Sequence, residues 1–167
     1  GNVYHFTHVE NALKILADEC VYSRNAVVDF NDSAGSVVGR RDTAHHYARF
    51  YFRPQTLTQF YNEQLGKDCQ MPYYDRAFRM ELPKCPVPIF FQFDLLEILQ
   101  NKEFDCFVSN GNMQTNNARV IKLEDSLTVF DFQHVYEEET WNYRRATQQE
   151  FLVQNKDDVI LILNYFV

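Results

Sequence analysis

The chain has 167 residues, of which 46% are hydrophobic and 16% aromatic, so it is long enough for one domain with a real core and is not a disordered protein. Its longest apolar stretch, residues 159–167, is interrupted by Asn164 and is too short to span a bilayer. The net charge of −7 argues against bulk nucleic-acid binding, but residues 1–80 are balanced, with nine basic and nine acidic residues, so a basic surface can exist on an acidic body.

The first part of the chain predicts a strand, a helix and two further strands. Residues 3–7 alternate as a strand, and residues 9–17 carry apolar side chains at the i, i+3, i+4 spacing of a helix. Thr7 or His8 is the expected N-cap of this helix. The other expected elements are a short strand at residues 21–22, a loop at 29–36, the start of a short helix within 37–46, and an aromatic strand over 47–52 that ends at Pro54.

The rest of the chain mixes helices and strands without strict alternation. It predicts a helix over residues 56–65, an exposed loop over 67–76, and a strand, a helix and a strand over 89–93, 94–99 and 104–108. Residues 148–153 and 159–165 are expected to complete the sheet. We therefore expect a single α+β domain over residues 1–167 rather than a doubly wound α/β fold.

Two polar pairs interrupt segments that otherwise have the pattern of buried strands. His5 and Thr7 share one face of the first strand, and Gln148 and Glu150 share one face of the strand that continues as Phe-Leu-Val. A carboxylate at the edge of an apolar strand is costly to bury unless it is paired or used, so Glu150 is a candidate catalytic group. On spacing alone, a core histidine beside a helix cap and a polar edge strand are the commoner explanations.

Basic side chains alternate with aromatic rings in the segment Arg49-Phe50-Tyr51-Phe52-Arg53. Such a surface suits stacking on unpaired bases and contact with phosphates. A buried aromatic strand whose arginines reach solvent has the same pattern, so both interpretations stay open. Arg40-Arg41 and Arg144-Arg145 are further basic pairs, and the second suits either attraction of an anionic acceptor to Glu150 or a solvated helix end.

Several kinds of site have no support in the sequence. It contains no glycine-rich phosphate loop, no G-x-G-x-x-G, no H-E-x-x-H and no G-x-S-x-G motif. The four cysteines, Cys20, Cys69, Cys85 and Cys106, form no C-x-x-C pair. We therefore expect no metal site, and a cytoplasmic or other reducing intracellular location.

Five short motifs follow one another along the chain. They are Val3-Tyr4-His5-Phe6-Thr7-His8 with Asn11, Val38-Gly39-Arg40-Arg41, the segment from His45 to Pro54, Phe107-Val108-Ser109-Asn110-Gly111-Asn112, and the segment from Gln148 to Val153. In this order they resemble the DarT-type ADP-ribosyltransferases, which modify bases in single-stranded DNA. The resemblance spans nearly the whole chain, and five motifs in register are more specific than any one of them.

The resemblance implies an ADP-ribosyltransferase fold, in which two packed, split β-sheets with flanking helices enclose an NAD cleft. It implies NAD as the ADP-ribose donor, held by His5, Phe6, Thr7, Tyr22 and Arg41. Glu150 would be the catalytic carboxylate, and Arg41 would contact the NAD phosphates or help to activate the acceptor base. The residues implied to bind single-stranded nucleic acid are Tyr47, Arg49, Tyr51, Arg53, Trp141, Arg145 and Gln148.

The implied reaction is the transfer of one ADP-ribose unit from NAD to a base in single-stranded DNA. Cleavage of the nicotinamide glycosidic bond develops positive charge on the ribose, and an ionised Glu150 would favour that transition state. The attacking base has to be unpaired to enter the cleft. A loop over residues 133–147, which contains Trp141, would recognise the substrate.

The chain departs from the family pattern at His46-Tyr47-Ala48-Arg49 and in the short spacing between Arg41 and His45. These departures concern the acceptor more than the donor. Two other hypotheses therefore stay open. One is transfer to RNA, protein or a small molecule, and the other is an inactive NAD- or nucleic-acid-binding module, which the presence of Glu150, Arg41 and His5 disfavours. The resemblance also implies a toxin, with an antitoxin or a larger surrounding protein as partner. The short apolar stretches predict no membrane association.

Overall fold

The structure is a computed structural model that describes residues 1–27, 42–54, 56, 85, 87–111, 113, 118–126, 150–155 and 161–162. The strands in this part of the chain are β1 Asn2–His8, β2 Cys20–Val21, β3 Ala48–Tyr51, β4 Pro88–Asp94, β5 Phe104–Ser109, β6 Val120–Lys122, β7 Glu150–Asn155 and β8 Leu161–Ile162. The helices are α1 Val9–Asp18, α2 Leu95–Gln100 and α3 Leu123–Ser126, with a 3₁₀ helix at Asp42–His46. At Glu150 and in β8, the structure describes the backbone and not the side chains.

Six strands form one antiparallel sheet in the order β4-β1-β3-β7-β5-β6. The strands β2 and β8 pair separately in a two-stranded sheet. Among the described residues, helices follow only some of the strands: α1 follows β1, α2 follows β4 and α3 follows β6. The predicted α+β class is therefore confirmed, with two sheets of unequal size among the described residues.

The junction between β1 and α1 turns at His8, which caps the helix. The backbone of His8 is extended, with φ −66° and ψ 148°, and its side chain accepts a hydrogen bond from the N–H of Glu10. Ala12 and Ile15 are the buried residues of α1, as its apolar stripe predicts. The helix ends at Glu19, whose φ of 52° is left-handed and whose N–H donates to the carbonyl of Ile15.

One face of the six-stranded sheet carries an aromatic core that α1 and α2 cover. Phe50 is fully buried in its centre, with its ring 5.3 Å from that of Phe93 and 6.2 Å from that of Phe151 between centroids. Such edge-on and tilted ring pairs add to the stabilisation that burial provides. The buried members of this core are Val3, Ala12, Ile15, Val21, Ala48, Phe50, Phe52, Phe91, Ile98, Val108 and Phe151.

A smaller apolar cluster lies on the opposite face of the sheet, over β7 and β5. Leu152 and Phe107 are register partners there, and Ala44 of the 3₁₀ helix packs in the same cluster. The other members are Met113, Tyr47, Ala118 and Val120. This cluster holds the 3₁₀ helix against the sheet immediately before β3 begins.

Most predicted elements overlap with observed ones. The strands expected at residues 3–7, 21–22, 47–52, 89–93, 104–108, 148–153 and 159–165 overlap with β1, β2, β3, β4, β5, β7 and β8, and the two described helices expected at 9–17 and 94–99 are α1 and α2. The sequence did not predict β6 or α3. The helix expected over 56–65, apart from Thr56, and the loops at 29–36 and 67–76 lie outside the described residues. Within the described ranges, no helix is long and apolar enough to cross a membrane.

Candidate active site

A row of polar and aromatic residues crosses the six-stranded sheet where β7 begins. Tyr4 pairs with Tyr51, Tyr51 pairs with Glu150, and Glu150 pairs with Ser109 in successive antiparallel registers. Register partners lie on one face of a sheet, and neighbouring strands are about 4.8 Å apart. Glu150 therefore stands between Tyr51 and Ser109, with Tyr4 about 10 Å away along the same row.

The sheet is split between β1 and β3, beside this row. Both strands are described along their whole length, and they share one register pair, Tyr4 with Tyr51. On its other side, β1 is paired with β4 at seven successive positions. Beyond Tyr4, a side chain replaces the backbone ladder to β3, because Nδ1 of His5 lies 2.9 Å from the carbonyl oxygen of Arg49. The split therefore begins next to Tyr51, the register partner of Glu150.

The contact with Arg49 fixes the tautomer of His5. A carbonyl oxygen only accepts hydrogen bonds, so Nδ1 of His5 carries the proton and Nε2 of the neutral ring is an acceptor. Burial lowers the pKa of His5; the hydrogen bond to the Arg49 carbonyl opposes this shift and the nearby Arg49 charge adds to it. The ring also packs edge-on against Phe50, with 5.9 Å between centroids. His5 is thus a neutral, oriented imidazole at pH 7.

Thr7 follows two residues later on the same strand face as His5. Its side chain is half-buried, and its Oγ1 accepts a hydrogen bond from Nδ2 of Asn11 at 3.2 Å. Asn11 lies in the first turn of α1. The two polar residues that the sequence placed on one face are therefore both fixed, one by β3 and the other by α1.

Phe6 lies on the alternate face of β1, where it joins an aromatic strip directed towards Glu150. Its ring centroid is 6.0 Å from that of Phe90 on β4 and 5.7 Å from that of Tyr51 on β3. Tyr51 is buried, and its hydroxyl oxygen accepts a hydrogen bond from Nη2 of Arg49 at 3.2 Å. The guanidinium of Arg49 therefore lies beside the aromatic strip, on the strand adjacent to that of Glu150.

Ser109 is a component of the row that the sequence did not single out. It is fully buried, and its hydroxyl donates to the carbonyl oxygen of Gly111. The turn that follows is also held by Asn110, whose Oδ1 accepts from the N–H of Arg119 at 2.8 Å and whose N–H donates to the carbonyl of Arg119 at 3.2 Å. The only sequence signal was the position of Ser109 at the start of a turn motif.

Tyr22 and Tyr47 lie outside the row. Tyr22 follows β2, and burial raises its pKa, with smaller contributions from Cys20 and Asp18. Tyr47 packs edge-on against Phe107, with 5.6 Å between ring centroids, and burial raises its pKa as well. Both phenols are therefore neutral at pH 7.

The turn after Tyr22 is connected to the segment that leads into β3. The N–H of Asn25 donates to the carbonyl of His45 at 3.1 Å, and Nδ2 of Asn25 lies 3.1 Å from Nδ1 of His46. These contacts tie the loop that carries Tyr22 to the 3₁₀ helix. Arg53 is half-buried just beyond β3.

The structure therefore brings Phe6, Arg49, Tyr51 and the backbone of Glu150 to one face of the sheet beside the split, whereas His5 and Thr7 lie on the other face of β1. Four of the predicted site residues, Arg41, Trp141, Arg145 and Gln148, lie outside the described residues. Their roles stay predictions.

The described residues show no side-chain arrangement suited to metal binding or to catalysis by a cysteine thiolate. No group of three His, Cys, Asp or Glu side chains there is arranged to hold a metal ion. Cys20, Cys85 and Cys106 form no disulfide. Burial, followed by the charge of Asp105, raises the pKa of Cys106 to about 11, so this thiol is protonated and a poor nucleophile at pH 7.

The fold is similar to that of solved DarT structures. DarT of Thermus sp. 2.9 in complex with ADP-ribosylated ssDNA matches with a TM-score of 0.64 and 18% identity, over 92% of this chain and 75% of that chain. Its complexes with NAD+ and with carba-NAD+ each match with a TM-score of 0.60 and 16% identity, over the same shares of the two chains. The predicted ADP-ribosyltransferase fold is confirmed.

Sequence comparison identifies the family. No protein of curated function matches the chain. The family model for DarT, described as ssDNA thymidine ADP-ribosyltransferase, matches residues 4–167, which is nearly the whole chain. The family predicted from the five motifs is therefore confirmed: the chain belongs to the DarT family of ADP-ribosyltransferases.

Proposed function

We propose that this protein cleaves NAD at the split between β1 and β3 and transfers the ADP-ribose to thymidine in single-stranded DNA. Membership of the DarT family supports the donor, the reaction and the acceptor. The observation that supports the position is the register of Glu150, which pairs with Tyr51 at the start of the split. In this proposal the catalytic Glu150 lies next to the gap between β1 and β3. The neutral His5 spans that gap through its contact with the Arg49 carbonyl.

In this proposal the donor pocket opens along the split, with His5 and Thr7 on the core face of β1 and Phe6 and Tyr51 on the face that carries Glu150. The Nδ1 atom of His5 is occupied by the Arg49 carbonyl, so Nε2 is directed as an acceptor for a ribose hydroxyl. The hydroxyl of Thr7 suits the carboxamide of nicotinamide, and the rings of Phe6 and Tyr51, 5.7 Å apart, supply an apolar wall. Tyr22 and Arg41 complete the donor site in this proposal, with Arg41 on the phosphates or the acceptor base.

Glu150 is the catalytic residue in this mechanism. As the bond from ribose to nicotinamide breaks, positive charge grows on the ribose, and the ionised carboxylate stabilises it more than it stabilises intact NAD. The carboxylate also binds a ribose hydroxyl and so orients the sugar. The N–H nitrogen of the thymine base forms the new bond from the opposite face and releases its proton to solvent, and nicotinamide leaves with the electrons of the broken bond.

The acceptor strand lies along the cationic side of the site. Arg49 is anchored on Tyr51 at 3.2 Å, which is a suitable position for a phosphate contact next to Glu150. Arg53 follows on the same segment, and Tyr47, Trp141, Arg145 and Gln148 are proposed to position the base. A base inside duplex DNA cannot reach this row, so the substrate is single-stranded. A modified base blocks copying of the strand, and we therefore place the protein in a toxin role with an antitoxin as partner.

The test is NAD-dependent labelling of synthetic oligonucleotides, read by intact mass. One single-stranded oligonucleotide contains a single thymidine, a second has that thymidine replaced by deoxycytidine, and a third is the first annealed to its complement. We expect the mass of one ADP-ribose on the first oligonucleotide alone, with no addition by Glu150→Gln. Labelling of RNA or protein in place of every DNA oligonucleotide would refute the proposed acceptor while leaving the donor chemistry intact.

A further inference from the structure

Asn11 contacts the proposed donor site through a directed hydrogen bond to Thr7. Its Nδ2 donates to Oγ1 of Thr7 at 3.2 Å, and both side chains are half-buried. Thr7 is the penultimate residue of β1, and Asn11 lies in the first turn of α1. The extended cap at His8 turns the chain between them, so the two residues face each other across the strand–helix junction.

The direction of this hydrogen bond determines what Thr7 can offer to a ligand. An amide NH₂ group only donates, whereas a hydroxyl has one proton and two acceptor lone pairs. Because Oγ1 of Thr7 accepts from Asn11, the single hydroxyl proton is directed to another acceptor. The β-branched threonine side chain also has restricted rotation, which keeps its oxygen in place.

We propose that Asn11 is a positioning residue that makes Thr7 a hydrogen-bond donor to the carboxamide oxygen of the nicotinamide in NAD. This inference rests on the proposed function, which places Thr7 in the donor pocket. A carboxamide oxygen is a strong acceptor, so a donor at Thr7 recognises the nicotinamide end of NAD and contributes nothing to the ADP-ribose end. Asn11 acts through Thr7 and does not touch the substrate.

The substitution Asn11→Asp tests this proposal because it reverses the polarity with little change in shape. A carboxylate only accepts, so it draws the Thr7 proton towards itself and away from the ligand. The new charge lies in the first turn of α1, where a carboxylate stabilises a helix, so the variant is expected to fold. Loss of one hydrogen bond predicts about a three- to tenfold increase in the KM for NAD.

Two fragments of NAD separate this role from a general effect of charge. We expect nicotinamide to inhibit Asn11→Asp more weakly than wild type by the same factor, while ADP-ribose binds with unchanged affinity. Asn11→Ala, which leaves the Thr7 proton available, is expected to show a smaller change and provides a second variant. Weaker binding of ADP-ribose to Asn11→Asp, with nicotinamide inhibition unchanged, would overturn the proposal.

A double-mutant cycle with Thr7→Val completes the experiment. Valine keeps the shape of threonine but offers no proton, so we expect a raised KM for NAD that Asn11→Asp does not raise further. Equal effects of Asn11→Asp in the threonine and valine backgrounds would overturn the role of Asn11 and leave the proposed function standing. An unchanged KM in Thr7→Val alone would instead remove Thr7 from the donor site, and the inference with it.

Discussion

The two sides of β1 differ in how they are paired. Towards β4, the strand is paired from Asn2 with Asp94 to His8 with Pro88. Towards β3, it is paired only at Tyr4 with Tyr51, and His5 then bridges to the backbone of Arg49. The continuous ladder supplies a rigid support, whereas the interrupted one leaves side chains such as His5 at a gap in the sheet. The predicted donor site belongs to the interrupted side.

The protein tolerates this interruption because burial on the core face holds β3 in place. Phe50 of β3 is fully buried and contacts rings from both β4 and β7, namely Phe93 and Phe151. Apolar burial is non-directional, so it does not require a continuous backbone ladder between β1 and β3. The aromatic packing therefore keeps β3 in the sheet although its backbone ladder to β1 is interrupted.

The largest effect is expected when the packing that holds β3 is removed. Phe50→Ala deletes a fully buried ring and is expected to lower the free energy of unfolding by about 3–5 kcal/mol. Phe90→Ala is the matched control, because that ring on β4 is 38% exposed and its loss leaves no buried cavity. Denaturant titration measures both. Equal losses for Phe50→Ala and Phe90→Ala would contradict the assignment of β3 to the core.

A smaller effect is expected when the bridge across the split is broken. His5→Ala leaves the Arg49 carbonyl without its partner and is expected to lower the free energy of unfolding by about 1–3 kcal/mol. His5→Asn keeps a donor near the position of Nδ1, so most of that stability is retained. Both variants lose the acceptor at Nε2, and so both are expected to bind NAD more weakly in calorimetry. Tight NAD binding by His5→Asn would show that Nε2 is not used.

The pH dependence of stability isolates the same residue. Burial lowers the pKa of His5 in the folded state below its ordinary value of 6.5. The unfolded state therefore binds the proton at higher pH, so the stability that neutral His5 provides is complete above about pH 6.5 and is lost as the pH falls towards the folded pKa. Thermal unfolding from pH 8 to 5 is expected to show a steeper loss for wild type than for His5→Asn. Parallel curves would contradict a lowered pKa of His5 in the folded state.

The smallest effect is expected at a thiol away from the split. The pKa of Cys106 is raised to about 11, so its alkylation at pH 7.5 is expected to be much slower than that of an unfolded control peptide and to accelerate above pH 10. Peptide mapping after iodoacetamide treatment measures this rate. NAD is not expected to change it, because Cys106 packs against the aromatic core, on the face of β5 away from Glu150. Rapid alkylation that NAD prevents would contradict the placement of the donor site.

The sequence predicted the elements whose signal is local. The alternation over β1, the helical stripe of α1 and the helix directly after β4 are all readable within a few residues, although the helix begins at Leu95 with Asp94 as its cap. The strand β6 was missed because Val120–Lys122 is too short to show a period, and α3 because Leu123–Ser126 is a single turn.

The arrangement of the site depended on pairings between distant segments. Ser109 carries no spacing signature, and its place beside Glu150 follows only from the register of β5 with β7. The split likewise follows from where β1 and β3 stop pairing, which no local pattern in either strand records. The sequence indicated His5 and Glu150 as site residues, but not that β3 and Tyr51 lie between them.

Amide hydrogen exchange with residue resolution tests most directly whether NAD binds at the split. The measurement compares Glu150→Gln, which does not turn over in this account, with and without saturating NAD. We expect NAD to protect amides within residues 5–7 and 48–51, on the two sides of the split, and to leave residues 88–94 of β4 unchanged. Protection of 88–94 without any change at 5–7 and 48–51 would contradict the donor site proposed here.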